Sequence, residues 1–403
     1  MLRMPVSLDI RKLEELIEDS LNPDTKSPQL EIPINTNQIA FGGYAAAVQA
    51  INTWFYANSE SSTLKLKSSE EIEDLIREPH KFTAFLMAKK FDDGISDDVE
   101  LKKKIYGLAE NQVDNQSKSK FGQSKGRLCW FTFVDHSTKG FDRNFYINAA
   151  NKRPQIRNEE QISNIITSMV KQSSRVAGGG VLPPECDVSD LGRVFNELFH
   201  NSHEHGSRAE SKNVWLKPAT RVLYTYGINL SDESVTNKTE REVWLANYLT
   251  KLNEKGLSTQ HFVEIGVVDS GLGFCGRWMA DNGSDEEFIE QDEKLQYSIL
   301  KRCFEFRKTS TGKSNKGHGL TAVMEHLTKL NGFIRIRSNQ LAVFRDFASE
   351  PFSIKKTNYE FFDWVTKKPC NESISLLPEA RGVSITLLVP LYAKQQREES
   401  GND

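Results

Sequence analysis

No two cysteines in this chain of 403 residues stand at C-x-x-C spacing. The five present, Cys129, Cys186, Cys275, Cys303 and Cys370, are odd in number and widely separated. That pattern argues against a disulfide framework and against a structural zinc site. Nowhere do ~18 apolar residues follow one another, so no membrane span is expected. The amino terminus lacks a signal-peptide pattern, because its early stretch alternates charges with Leu and Ile. Charge of one sign is missing too. A formal net charge of -3 gives no global signal for nucleic acid or for an anionic membrane. These absences favour a reducing cytoplasm. A P-loop is also lacking: Gly42-Gly43 has neither the lysine nor the longer glycine pattern, and reads as a turn. None of the eight histidines lies in an H-[DE]-x-x-[NTP] dimerisation helix, and His136 is followed by Ser137 and Thr138.

What is present is an ordinary globular composition, with 38% hydrophobic and 27% charged residues. A chain of this length buries a sizeable core without covalent staples. Two domains or three are expected at ~100–200 residues each. Asp9 to Leu21 has helical spacing of Leu and Ile, and Asn22-Pro23-Asp24 ends it. Leu30 to Ile34 reads as a strand, Tyr44 to Tyr56 as an Ala-rich helix and Thr63 to Lys67 as a short strand. Glu70 to Lys90 is helical with a break near Pro79, and 115–127 is a solvated loop. Leu128 to Val134 is a buried strand, and Phe141 to Ile147 is a candidate to pair with it. Residues 1–150 thus form a mixed α/β unit without a chemical motif.

From Glu159 the pattern changes, with a helix over 159–172 and a flexible Gly- and Pro-rich boundary at 177–184. A capped helix and strands follow, then a charged helix at Thr239 to Leu252 and a strand at Phe262 to Val268. Helices are expected near Glu293 to Phe306 and at Leu320 to Leu330, and strands at Phe333 to Ser338 and Val383 to Val389. This order suggests a layered α/β sandwich.

Three segments carry chemistry. In the first, Leu191, Val194, Phe195, Leu198 and Ser202 make the inward stripe of a helix. Glu197, Asn201 and His205 lie four apart on another face. An Asn amide oxygen ligates Mg²⁺, a hard cation that keeps several waters. A Glu one turn away can act as general base. The bland alternative is a polar, solvent-facing stripe. His200, His203 and His205 do not form a metal site at helical spacing, because His205 points away from the other two. In the second, a buried strand ends in Asp269, followed by Gly271 and Gly273. The carboxylate can accept from an exocyclic amine such as adenine N6, and the glycines admit a flat base. Alone, it reads first as a strand ending in a tight turn. In the third, Lys313, Lys316, Gly317, His318, Gly319 and Leu320 lead into a helix. Glycine-rich backbone at a helix N-terminus offers free N–H groups to phosphate. The alternative is a basic linker.

In order and spacing, E-x-x-x-N on a helix, D-x-G-x-G after a strand and G-x-G-L before a helix resemble the GHKL superfamily. That superfamily unites gyrase B, chaperone ATPases, MutL and sensor histidine kinases. Asn331 to Ser338 and Gly382 to Pro390 are similar to its last two strands. The resemblance covers 155–392 and leaves 1–150 and a polar tail at 393–403 outside it. It implies an α/β fold: a Bergerat-type sandwich with a mixed sheet, helices on one face, preceded by the smaller amino-terminal α/β domain. It also implies ATP and Mg²⁺ as ligands. Glu197 would be the catalytic carboxylate and Asn201 would hold the metal ion. Asp269 would select adenine, with Gly271 and Gly273 beneath the base, and Lys316 to Gly319 would form the phosphate lid.

This chain also departs from the family. Glu204 stands where histidine kinases place Lys or Arg, and the helix at 239–252 and the stretch 340–381 read as insertions. Val383 replaces a Thr or Ser that commonly helps bind adenine, with Ser384 or Thr386 as substitutes. The function expected is a Mg²⁺-dependent ATPase switch. The alternatives are a cytoplasmic protein kinase, histidine kinase-like or anti-sigma-like, and a nucleotide-gated binding module. A protein partner would engage residues 1–150. Dimerisation is common among relatives, though no heptad seam marks a homodimer here.

Overall fold

The computed structural model describes residues 1–37, 39–67, 72–137, 141–147, 154–177, 185–230, 242–282, 292–305, 319–355 and 359–392. The chain opens with β1 (Leu2–Arg3) and α1 (Ile10–Leu21). Asp9 caps α1 by accepting from Arg11 N at 3.0 Å and Lys12 N at 3.3 Å. Next come β2 (Gln29–Glu31), α2 (Gly43–Ala57), β3 (Thr63–Lys65), α3 (Ile72–Leu75), α4 (Pro79–Met87), β4 (Lys90–Asp92) and α5 (Asp98–Gln116). Strands β1 to β4 form a parallel sheet in sequence order, joined by these helices.

The second sheet is built from β5 (Gln123–Lys125), β6 (Leu128–Phe133), β9 (Arg221–Asn229), β10 (His261–Asp269), β11 (Phe333–Asn339), β12 (Leu341–Asp346), β13 (Phe362–Asp363) and β14 (Ala380–Pro390). Its order is β13-β12-β11-β14-β10-β9-β6-β5. Each neighbouring pair in it is antiparallel. The mixed sheet expected from the resemblance is therefore corrected: parallel pairing belongs to the small amino-terminal sheet. Strand pairing also does not stop at residue 150, since β6 and β5 close one side of the long sheet.

The remaining elements are β7 (Tyr146–Ile147), β8 (Gln155–Ile156), α6 (Glu159–Val176), α7 (Glu185–His205), α8 (Val243–Glu254), α9 (Gly273–Asn282), α10 (Glu293–Cys303) and α11 (Gly319–Lys329). The segment Phe141 to Ile147 does not pair with β6 but supplies β7, which pairs with β8. The reason is a turn, in which Phe145 N and Tyr146 N both donate to Asp142 O at 3.0 Å.

Alternation along the strands explains the layers. Val263, Ile265, Val267, Ile385 and Leu387 face α6, α7 and α11, where Ile166, Val194, Leu198 and Val323 meet them. Val222, Tyr224 and Val268 face the other way and pack with Val48, Ile51 and Phe55 of α2. Trp244 and Tyr248 of α8 cover Phe262, Phe333 and Leu388 on that same side. Each such fully buried side chain stabilises the fold by ~1.5–3 kcal/mol. The long sheet is thus clothed on both faces, not on one. No helix among the described residues is long and apolar enough to cross a membrane.

Candidate functional site

The inward stripe of α7 fixes its rotation. Leu191, Val194, Phe195 and Leu198 are buried against the sheet, which leaves Glu197 and Asn201 half-buried along one flank. The start of α11 meets that flank. A Cβ added to Gly319 would lie 2.6 Å from Glu197 Oε2 and 3.3 Å from Asn201 Nδ2. Only glycine fits there without displacing the two side chains. Asn201 Nδ2 is buried and has no hydrogen-bond partner among the described residues, which makes it a polar end suited to a ligand. Burial pushes the Glu197 carboxyl up from its ordinary pKa, and the Glu159 and Glu204 charges push it further in the same direction. A carboxylate so shifted is a better proton acceptor near neutral pH.

The end of α7 meets the end of β10. A Cβ on Gly206 would be 2.6 Å from Asp269 Cγ, and one on Gly271 would strike Gly206 O. The two glycines thus allow the helix end to close on the acidic strand end. Asp269 is buried, and its Oδ1 accepts from Gly271 N at 2.8 Å and Val383 N at 3.3 Å. Those described bonds go to one carboxylate oxygen and leave Oδ2 for another donor. Burial pushes the Asp269 pKa up to about 7, against the pull of these two N–H groups.

Beneath this corner lies a buried network. Arg221 Nε and Nη2 grip Asp135 at 2.7 and 2.8 Å. Arg221 Nη1 donates to Ser202 Oγ at 3.1 Å, and Nη2 to Tyr146 OH at 2.6 Å. Burial opposes the charge on Asp135, yet Arg221 and the Ser207 hydroxyl hold its carboxyl below the usual range. Arg221 also sits opposite Asp269 in the strand register.

The remaining sequence candidates divide. Gly273 has φ +77, and a Cβ there would strike Asn339 Oδ1. The first turn of α9 is filled by β11, since Phe274 N donates to Ser338 Oγ at 2.9 Å and Cys275 N to Asn339 Oδ1 at 3.0 Å. The described contacts of Gly273 therefore pack α9 on the sheet. His205 is held neutral, its pKa lowered to about 4 by burial and then by Lys212. Its Nδ1 is buried without a partner. Leu320 is buried in the core beneath α11. Lys316, Gly317 and His318 lie outside the described residues. Gly206 and Gly382 are the residues that sequence reasoning missed. Their signal was position, one directly after the E-x-x-x-N helix and one at the head of the last strand.

Among the described residues no group of three or more His, Cys, Asp or Glu can hold a metal ion. On this flank the Asn201 amide oxygen and the Glu197 carboxylate are oxygen donors of the kind a hard cation takes. A separate cavity of about 460 Å³, lined by Ile34, Asp74, Arg77, Gln112, Lys125 and Trp130 among others, includes none of these candidates. No known family model, curated protein or solved structure matches the chain.

Proposed function

We propose that this chain binds ATP along the flank of α7 and uses it as a GHKL-type ATPase switch. The convergence of three distant segments carries the reading: Gly319 lies against Glu197 and Asn201, and Gly206 lies against Asp269. From 197 to 206 the helix rises about 14 Å, enough for a nucleotide stretched from base to last phosphate. Asp269 Oδ2 accepts from the exocyclic amine of adenine. The Asn201 amide oxygen would hold a Mg²⁺ ion, which would supply charge neutralisation on the phosphoryl oxygens. Glu197, with its raised pKa, accepts a proton from the attacking water. The N–H groups at the start of α11 face the same phosphates. Departure of the last phosphate removes a contact shared by the first residues of α11 and the Glu197–Asn201 flank, and that is the switch.

Purified protein incubated with γ-labelled ATP and Mg²⁺, alone and with cell extract, tests this. Free labelled phosphate is the expected product. Label transferred to a protein makes the chain a kinase, and nucleotide binding without either product makes it a gated binding module. No binding at all refutes the site.

A further inference from the structure

Helix α2 belongs to the amino-terminal unit, yet its polar side chains end on the backbone that presents Asp269. At its start, Gly42 N donates to Glu264 Oε2 at 3.0 Å. Further on, Asn52 Nδ2 donates to Asp269 O at 3.5 Å. Glu264 and Asp269 are five residues apart on β10. The helix rises about 15 Å from 42 to 52 and the strand about 17 Å from 264 to 269, so α2 lies along β10, matched at both ends.

The first residues of β14, where its pairing with β11 shifts register, are held from the same helix. Thr53 Oγ1 accepts from Arg381 N at 2.9 Å. Gln49 Nε2 donates to Arg337 O at 3.1 Å and to Gly382 O at 3.4 Å. Arg381 lies over the Tyr56 ring at 4.0 Å and donates from Nε to Ser270 O at 3.2 Å. Gly382 has φ +77, and a Cβ there would overlap Asp269 O. One residue later, Val383 N donates to the Asp269 carboxylate. Gly382 alone separates the amide that Thr53 holds from the amide that holds Asp269. Gln49, Asn52 and Thr53 are all buried. Apolar residues there would seat the helix without the cost of burying polar groups, so their bonds call for another reason.

We infer that Gln49, Asn52 and Thr53 are positioning residues for purine recognition. They fix the end of β10 and the start of β14 at 381–383 so that Asp269 offers its second oxygen to the base. This rests on the nucleotide reading above, and it makes base affinity depend on how the amino-terminal unit is seated.

The test uses the full chain and two nucleotides. Purine riboside triphosphate has hydrogen in place of the exocyclic amine, so its affinity does not register the aim of Asp269. Thr53→Val removes the accepting oxygen at nearly constant volume. Calorimetric titration should show ATP affinity about 2- to 30-fold weaker, with purine riboside triphosphate bound as in the wild type. Thr53→Ser keeps the oxygen and should restore ATP affinity. Asn52→Ala, which deletes a longer contact, carries the same test if Thr53→Val does not fold. Equal weakening of both nucleotides would make these residues merely structural, and unchanged ATP affinity would remove their role. Either result overturns the inference while leaving the site intact. A wild-type chain that binds no ATP overturns the site reading itself, and this inference with it.

Discussion

Replacing Asp269 by Asn separates two effects of one buried carboxylate. The first concerns the protein without ligand. Asp269 is lifted from 3.8 to about 7 by burial. At 1.36 kcal/mol per pH unit, that gap is worth roughly 4 kcal/mol. The sign follows from proton uptake. Between about pH 4 and 7 the folded chain holds a proton that the unfolded chain has released, so this residue's contribution to stability falls as pH rises through that window and is flat above it. The substituted amide would carry no such dependence and still accept from Gly271 N and Val383 N. The stability of Asp269→Asn relative to the wild type should therefore climb between pH 4 and pH 8 by up to roughly 4 kcal/mol. Comparing the two proteins cancels the other titrating groups, including His205, whose depressed pKa acts in the opposite direction.

The second effect concerns the ligand. In Asp269→Asn an amide donor faces the adenine amine, another donor, in place of the carboxylate oxygen. Losing a hydrogen bond to a charged group costs ~1.5–3 kcal/mol, or about 10- to 100-fold in affinity. MgATP at a hundred times its dissociation constant stabilises the wild type by about 2.7 kcal/mol. A variant that binds 100-fold more weakly gains only about 0.4 kcal/mol at that concentration. Urea unfolding at pH 4 and pH 8, and at pH 8 with MgATP, reads both quantities. A variant whose stability relative to the wild type does not rise from pH 4 to pH 8 without nucleotide, or one stabilised equally by MgATP, would refute this account of Asp269.

Glu197→Ala should lower the rate of phosphate release by about 10²- to 10⁴-fold and leave ATP affinity unchanged; steady-state turnover that survives would remove its role as proton acceptor. Gly319→Ala places a Cβ 2.6 Å from the tip of the Glu197 side chain, which swings aside. Turnover should fall by about 100-fold through misplacement of Glu197, with little change in the melting temperature, and normal turnover would show that the close approach is irrelevant. Arg221→Met leaves Asp135 buried and unpaired, at a cost of ~3–5 kcal/mol; denaturant unfolding that shows no loss would contradict the network described for that corner.

Local signals made part of this legible. The apolar stripe of α7 gave its rotation, and hence the shared flank of Glu197 and Asn201. A buried run ending in an acidic residue gave β10 and Asp269. A short apolar run over 128–134 gave β6, but not that it would join β9, because that partner lies about 90 residues downstream. The loop expected at 115–127 hid β5, whose three residues are too few to alternate visibly. Helix α9 was missed because its ten residues start inside the D-x-G-x-G pattern itself. The polar residues of α2 were plain in the sequence, but their partners lie more than 200 residues away. The turn at Asp142 defeated the strand reading of 141–147, since its backbone bonds leave no mark on the hydrophobic pattern.

The clothing of the long sheet on both faces has a consequence for any attempt to cut this protein down. A fragment starting at residue 155 would leave β5 and β6 behind, turning β9 into a raw edge with unpaired N–H and C=O groups. It would also strip the cover from Val222, Tyr224, Val268 and Ala380, laying open an oily patch beside that edge. Such a piece would stick to itself before it could be assayed, so the smallest workable unit includes the amino-terminal part.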